Sequence, residues 1–393
     1  MKEVETTDHV LLAQQLASQH PDIEWGPTTR ARVAWAQRFG ASHTTLSIND
    51  PTPFQPGSTL GSGGLGIVVE TTIEDIPVAW KRMYTRRLND RYLNEIKVLK
   101  QMSAKRHQHV VDFIGSYVHR HKGLYELGIL TWPVAQCDLS VFLHHVGLLT
   151  EWQRRDWSFR GWEMPGEPTE EERVAFDNLD SICKNKIEHR PQSLLKMRDM
   201  VLAASKRRLR GSFGCIAQAV EYIHDQSIRH KDIKPSQILI SSDGLWLTDF
   251  GWSRDTSDMT NSATSGGDTI TFKYHAPERA QMKECGRPED IFALGCTYLE
   301  MMLCLLCPNA DEVLNPDKKP TWSFQANLDS FEAWVYPFKS ERTDERVLME
   351  GLLRVMLAID PGDRPQIAEV VNILSISVDY DNYGFLNRCC YDS

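Results

Sequence analysis

His230-Lys231-Asp232 and Asp249-Phe250-Gly251 constrain this 393-residue chain more than any other feature. Each tripeptide supplies one carboxylate. Between them run Ile-Lys-Pro-Ser-Gln-Ile-Leu-Ile, then Ser-Ser-Asp-Gly, then Leu-Trp-Leu-Thr. That order reads as a loop, a strand, a turn and a second strand. A hairpin of this kind sets Asp232 and Asp249 at the same end of a sheet, facing one cleft.

The length suits two packed lobes better than one small core. The 41% apolar and 25% charged fractions are ordinary for a globular protein. A net charge of −9 argues against general nucleic-acid binding, which needs a basic surface. The polar, acidic start carries no leader signal, and no run approaches a membrane span of about 20 apolar residues. The nearest candidate, residues 291–307, contains Glu300 and reads as a buried helix. The nine scattered cysteines form no disulfide framework, which points to an intracellular, cytoplasmic or nuclear location. Cys304 and Cys307 read as core thiols rather than metal ligands. Cys390-Tyr-Asp-Ser reads as an ordinary C-terminus rather than a prenylation box.

Along the chain, residues 1–53 carry no motif and read as an extension packed on, or trailing from, the first lobe. Within it Val33–Phe39 can form a helix, and the Pro51–Pro56 segment breaks regular structure. Residues 54–131 read as strand, turn and strand with one helix at Tyr92–Met102, where Tyr92, Ile96, Leu99 and Met102 recur at helical spacing. Residues 148–205, with Trp152, Trp157 and Trp162, read as an insertion between two helices of a second lobe covering about 135–375. Lys206–Arg210 reads as the solvated start of a helix rather than a nuclear signal. Phe213, Ile216, Ala217, Val220, Ile223 and His224 line one face of that helix. Residues 376–393 form a tail.

Gly61-Ser62-Gly63-Gly64-Leu65-Gly66-Ile67-Val68 matches G-x-G-x-x-G-x-V. Glycines let a turn approach phosphate oxygens and present backbone N–H groups to them. A strand follows, which disfavours a dinucleotide-binding turn leading into a helix. Val78-Ala79-Trp80-Lys81 comes on the next strand but one, where Ala79 and Lys81 share a face. Glu95, on the helix that follows, can pair with Lys81.

Taken together and in this order, the motifs resemble those of eukaryotic protein kinases of the serine/threonine type. The resemblance covers about residues 54–375. It implies an α+β, bilobal fold, with a small β-rich N-lobe and a larger, mainly helical C-lobe, and ATP and Mg²⁺ between them. The implied substrate is a protein with a serine or threonine acceptor. It assigns Asp232 to orienting the attacking hydroxyl, Lys234 to the transferred phosphate, Lys81 to the α/β-phosphates and Glu95 to holding Lys81. Asp249 becomes a Mg²⁺ ligand. Gly61, Ser62, Gly63, Gly64, Leu65, Gly66, Val68, Ala79 and Leu239 become nucleotide contacts. Thr131 falls at the back of the adenine pocket, Trp132 supplies a backbone acceptor and Val134 a donor, since Pro133 has no N–H. Thr256, Ser257, Thr260 and Thr264 fall in the activation loop. Thr271, Asp290 and a buried Glu278–Arg364 pair become structural supports of the catalytic segment.

Two positions depart from the family. Gln237 stands where it has Asn at the second Mg²⁺ site, so weakened binding of the second ion is expected. Lys231 replaces an Arg that grips phosphate bidentately, which argues against control by activation-loop phosphorylation. Gln237 and the insertion motivate a rival reading, a pseudokinase acting as a nucleotide-binding scaffold. A small-molecule phosphotransferase of the same fold fits less well with Thr271 and Ala276-Pro277-Glu278.

Overall fold

The structure, a computed structural model, describes residues 8–19, 25–63, 66–88, 90–103, 105–121, 123–158, 167–184, 187, 190–255, 272–307, 309–339, 343–376, 384–386 and 389. The chain divides into two compact units, Met1–Ala135 with Thr248–Arg254, and Gln136–Leu247 with Asp255–Ser393. The first is strand-rich and the second mainly helical, the α+β class expected. The first unit also takes in the extension before residue 54 and the short segment that carries Asp249.

The first unit opens with α1 (His9–Gln19) and α2 (Pro27–Phe39). Local chemistry bounds α2. Pro27 sits at the start, where its missing N–H is no loss, and Gly40 closes the end at φ 72° with its N–H on the Ala36 carbonyl. Strands β1 (His43–Leu46), β2 (Thr59–Gly63), β3 (Gly66–Ile73) and β4 (Ile76–Thr85) precede α3 (Asp90–Met102), and β5 (Asp112–His121) and β6 (Leu124–Trp132) follow it. They form one six-stranded sheet in the order β1-β5-β6-β4-β3-β2. All neighbours are antiparallel except β1, which lies parallel to β5 with His43 opposite Ser116.

The extension is therefore part of the sheet. Its Trp35, buried from solvent, stacks on Phe54, and Phe54 meets Trp80 edge-on. These rings join Val78, Ile114, Tyr117 and Leu130 in one apolar cluster. Burying a ring of this size stabilises by about 2–3 kcal/mol, which accounts for an otherwise motif-free segment holding its place.

The second unit contains β7 (Cys137–Asp138), α4 (Leu139–Ser158), α5 (Glu170–Cys183) and α6 (Leu194–Asp225). Next come β8 (Ile228–Arg229), β9 (Ile238–Ser241) and β10 (Gly244–Leu247). Helices α7 (Pro277–Ala280), α8 (Arg287–Leu306), α9 (Ala310–Leu314), α10 (Phe331–Val335), α11 (Asp344–Met356) and α12 (Ile367–Ile376) complete it. The expected hairpin is present, with Leu247 opposite Ile238 and Gly244 opposite Ser241.

The insertion is more regular than its composition suggests. Helix α4 runs through residue 148, and Trp152 on it is buried. A capping box starts α5: Thr169 Oγ1 accepts the Glu172 N–H, and Glu172 Oε2 accepts the Thr169 N–H. The Trp157 side chain and all of Trp162 lie outside the described residues.

Lys206–Arg210 lies in the middle of the 32-residue α6, not at its start. Leu209 is buried, and Arg208 donates to the carbonyls of Ser241 and Gly244 at the turn of the β9–β10 hairpin. A run read as solvated charge thus includes a staple, because a long Arg can bury its stem and still reach carbonyl oxygens. Part of the tail also packs: Phe385 and Leu386 are buried, and the Phe385 carbonyl accepts the Gly214 N–H of α6.

Candidate active site

Strand β4 positions the first group. Ala79 lies opposite Thr131 of β6, and Lys81 lies between Val68 of β3 and Ile129 of β6. The Lys81 ammonium sits 2.7 Å from Glu95 Oε1 and 2.7 Å from Asp249 Oδ1. Glu95 is on the buried side of α3, with Ile96, Val98, Leu99 and Met102 beside it. Asp249 adopts a left-handed conformation at φ 61°, ψ 75°, and its carboxylate accepts the Gly251 N–H in a short turn. Asn94, next to Glu95, donates to the Ser253 carbonyl at 2.7 Å and ties α3 to that turn. Burial alone would drive the proton off Lys81. Asp249 and Glu95 outweigh it, and the ammonium holds its charge well above the usual lysine range.

The glycine motif forms the β2–β3 hairpin. Gly61 and Ser62 lie in β2 opposite Val68 and Ile67, and Gly63 faces Gly66. Gly64 and Leu65 fall outside the described residues. At Gly66, φ is 158° and a Cβ would land on the Arg82 carbonyl of β4. Glycine is required there by strand packing, a reason separate from any approach to phosphate. Trp132 ends β6, and Val134 follows it outside any strand.

The second unit carries the other group. Asp232 Oδ2 lies 2.8 Å from Lys234 Nζ and 3.5 Å from Gln237 Nε2. Pro235–Gln237 form one 3-10 turn, and Leu239 follows on β9, opposite Trp246 and Asp138. The loop before Asp232 is held by Asp290 of α8. Its carboxylate accepts the N–H groups of His230 at 2.9 Å and Lys231 at 2.8 Å, and a bond from His224 Nε2 at 3.0 Å. Asp290 is no helix cap, since α8 begins after Gly286. Burial opposes its charge. The bond and charge of His224, with the backbone amides, win and bring it down to about 2. Arg279 donates to the Lys231 carbonyl and pairs with buried Glu289.

Lys81, Glu95 and Asp249 are thus brought together in the first unit, and Asp232, Lys234 and Gln237 in the second. Thr256, Ser257, Thr260, Thr264 and Thr271 lie outside the described residues. The sequence reading missed Asn94 and Arg279. Position was the available signal for Asn94, directly beside Glu95, but a polar residue on a helix carries no mark of a distant carbonyl.

Residues 187–374 match the sequence model of the protein kinase domain. An Aurora kinase from Eremothecium gossypii is 32% identical over 158 residues, 39% of this chain and 38% of that protein. An Aurora kinase from Debaryomyces hansenii is 34% identical over 164 residues, 40% and 35% of the two chains. Residues 187–374 thus carry a protein kinase domain, and the chain is similar there to protein kinases. Human 3-phosphoinositide-dependent protein kinase 1 is 33% identical over 88 residues, 22% of this chain and 16% of its own length. These matches span well under half the length of each relative. The kinase match includes Asp232, Gln237, Asp249, Glu278 and Arg364; Lys81, Glu95 and the glycine hairpin precede it.

Proposed function

We propose that this chain transfers the γ-phosphate of ATP to serine or threonine hydroxyls of protein substrates. The observation that carries the reading is Lys81, shared at 2.7 Å between Glu95 and Asp249. Such an ammonium is held extended and charged, ready for phosphate oxygens. In this reading Asp232 orients the acceptor hydroxyl and Lys234 offsets charge on the moving phosphoryl group. Gly61, Ser62, Gly63, Gly64, Leu65, Gly66, Val68, Ala79, Thr131, Trp132, Val134 and Leu239 contact the nucleotide.

Asp249 in the first unit and Gln237 in the second carry carboxylate and amide oxygens, the hard ligands that Mg²⁺ takes. When bound, Mg²⁺ neutralises charge on the phosphate oxygens. The chain's own part is to hold Asp249 in its turn through Gly251, and to hold Lys81 through Glu95. Eight described cysteines are free thiols, which supports a reducing compartment, cytoplasmic or nuclear. Among the described residues no helix is long and apolar enough to cross a membrane.

One observation favours the second reading, a nucleotide-binding pseudokinase. The Gln237 amide nitrogen faces Asp232 at 3.5 Å, so this longer side chain is drawn toward the carboxylate that a kinase keeps for its substrate. The test is Mg²⁺-dependent transfer of labelled γ-phosphate to a basic protein, in the intact chain and in Asp232→Asn and Gln237→Asn. Transfer lost in Asp232→Asn and raised in Gln237→Asn supports catalysis. Nucleotide binding without transfer in any of the three would establish the pseudokinase.

A further inference from the structure

We propose that His119, His121 and Glu126 form a zinc-type divalent-metal site on the β5–β6 hairpin. The hairpin register builds the cluster. His119 and His121 are two apart on β5 and so share a face, and His119 lies directly opposite Glu126 of β6. One ligand atom from each of the three lies within 4.8 Å of the others. The two imidazole rings are 4.0 Å apart, centroid to centroid.

The His119 ring is set up as a ligand. It is fully buried, and its Nε2 meets the Ser47 carbonyl at 3.0 Å. A carbonyl can only accept, so the proton sits on Nε2. Nδ1 is left with a bare lone pair, and no hydrogen-bond partner reaches it. A buried acceptor without a donor is costly. An imidazole whose other nitrogen donates to a backbone carbonyl is the arrangement metal sites use to fix tautomer and ring.

Glu126 is held just as firmly. Oε1 accepts Arg82 Nε at 2.7 Å and Tyr117 OH at 2.8 Å, while Oε2 faces His121 Nε2 at 3.2 Å. These three neighbours fix the carboxylate in place beside the two imidazoles. Gly128 makes the arrangement possible, because a Cβ there would strike the Tyr117 ring that lies across β6 toward Glu126. His121 is the most exposed member, its side chain 39% exposed, and gives an ion a way in from solvent.

Two imidazoles and a carboxylate match a three-ligand zinc set with one position left for water. Ligand atoms around tetrahedral Zn²⁺ stand roughly 3.3 Å apart at bonds of about 2.0–2.1 Å. A turn of the exposed His121 ring closes the set from its present spread. Arg82, already on Oε1, limits the charge available, so binding is weaker than at an all-thiolate structural site. The cluster lies apart from Lys81, Glu95 and Asp249, and the proposal is independent of phosphate transfer.

The test is calorimetric titration of the chelator-treated full chain with Zn²⁺ alone, with Co²⁺ absorption reporting the ligand set. One equivalent is expected, with a tetrahedral cobalt spectrum. His121→Ala, an exposed change that leaves the core intact, is expected to lower affinity about tenfold or more. His119→Gln is expected to abolish the cobalt spectrum; where it also unfolds the chain, His121→Ala decides alone. Absence of stoichiometric binding in the wild type, or equal binding in His121→Ala, overturns the site and assigns any residual zinc to cysteines elsewhere.

Discussion

The guanidinium of Arg364 and the carboxylate of Glu278 meet in parallel, with Nη1–Oε1 and Nη2–Oε2 both at 2.8 Å, and both groups are buried. Arg364 also donates to the carbonyls of Ala358, Ile359 and Pro288. The planar fork satisfies two acceptor oxygens and three backbone carbonyls at once, which no lysine can do. Arg364→Met should destabilise the second unit by about 3–5 kcal/mol, because it leaves a buried carboxylate unpaired. Arg364→Lys should lose somewhat less. Urea unfolding monitored by fluorescence checks both. A loss under about 1 kcal/mol for Arg364→Met would show the pair to be incidental.

Asp290 couples folding to acid. Its folded value of about 2 lies below the ordinary 3.8, so its contribution is present above about pH 4 and is lost as pH falls toward 2. The expected loss is about 2 kcal/mol across that window. In Asp290→Asn that share of the pH dependence should vanish, and the loop at His230 and Lys231 should exchange its amide hydrogens faster at neutral pH. Unfolding curves at pH 5 and pH 2.5, wild type against variant, read the difference. Parallel losses in the two proteins would remove Asp290 from the account.

Trp35 ties the N-terminal extension to the sheet. Its ring lies against Gly115 of β5, where any Cβ would collide with it, and its Nε1 donates to the Ala41 carbonyl at 2.8 Å. Trp35→Ala should cost about 3–5 kcal/mol through the cavity it opens. Gly115→Val should be comparably damaging by displacing the ring. Thermal melts of the two variants measure this. A chain lacking residues 1–46 and melting like the wild type would mean that the extension adds nothing.

Lys81→Met keeps the length of the side chain and removes its charge. Under the proposed function, phosphate transfer should fall about a hundredfold or more, since an ammonium that stabilises developing charge is gone. Glu95→Gln should fall less, because Lys81 keeps Asp249 as a partner. Initial rates at saturating ATP separate the two. Equal rates for Lys81→Met and wild type would detach Lys81 from the chemistry.

Much of the local structure was legible. Phe213–His224 could be read as one helix face because apolar residues recur at helical spacing, and every one of them is buried. The β9–β10 hairpin was legible from its turn residues. Ends of elements were less so. The start of α6 lies well before Phe213, and the basic run inside it looked like a boundary, because a sequence does not show that Arg208 has two carbonyls waiting for it.

The order of motifs along the chain was enough to point to a protein kinase domain: a glycine hairpin, a lysine on a strand, and two carboxylates around a hairpin are local patterns, written in neighbouring residues. Tertiary structure alone decided what those groups touch. That Lys81 bridges Glu95 and Asp249, that β1 pairs in parallel with β5, and that His119 keeps a bare nitrogen beside Glu126 all depend on residues far apart in sequence or across a sheet register. Periodicity specifies which way a side chain points along its own strand or helix. It carries no information about which distant group fills the space it points into; burial and close packing settle that only once the whole chain has folded.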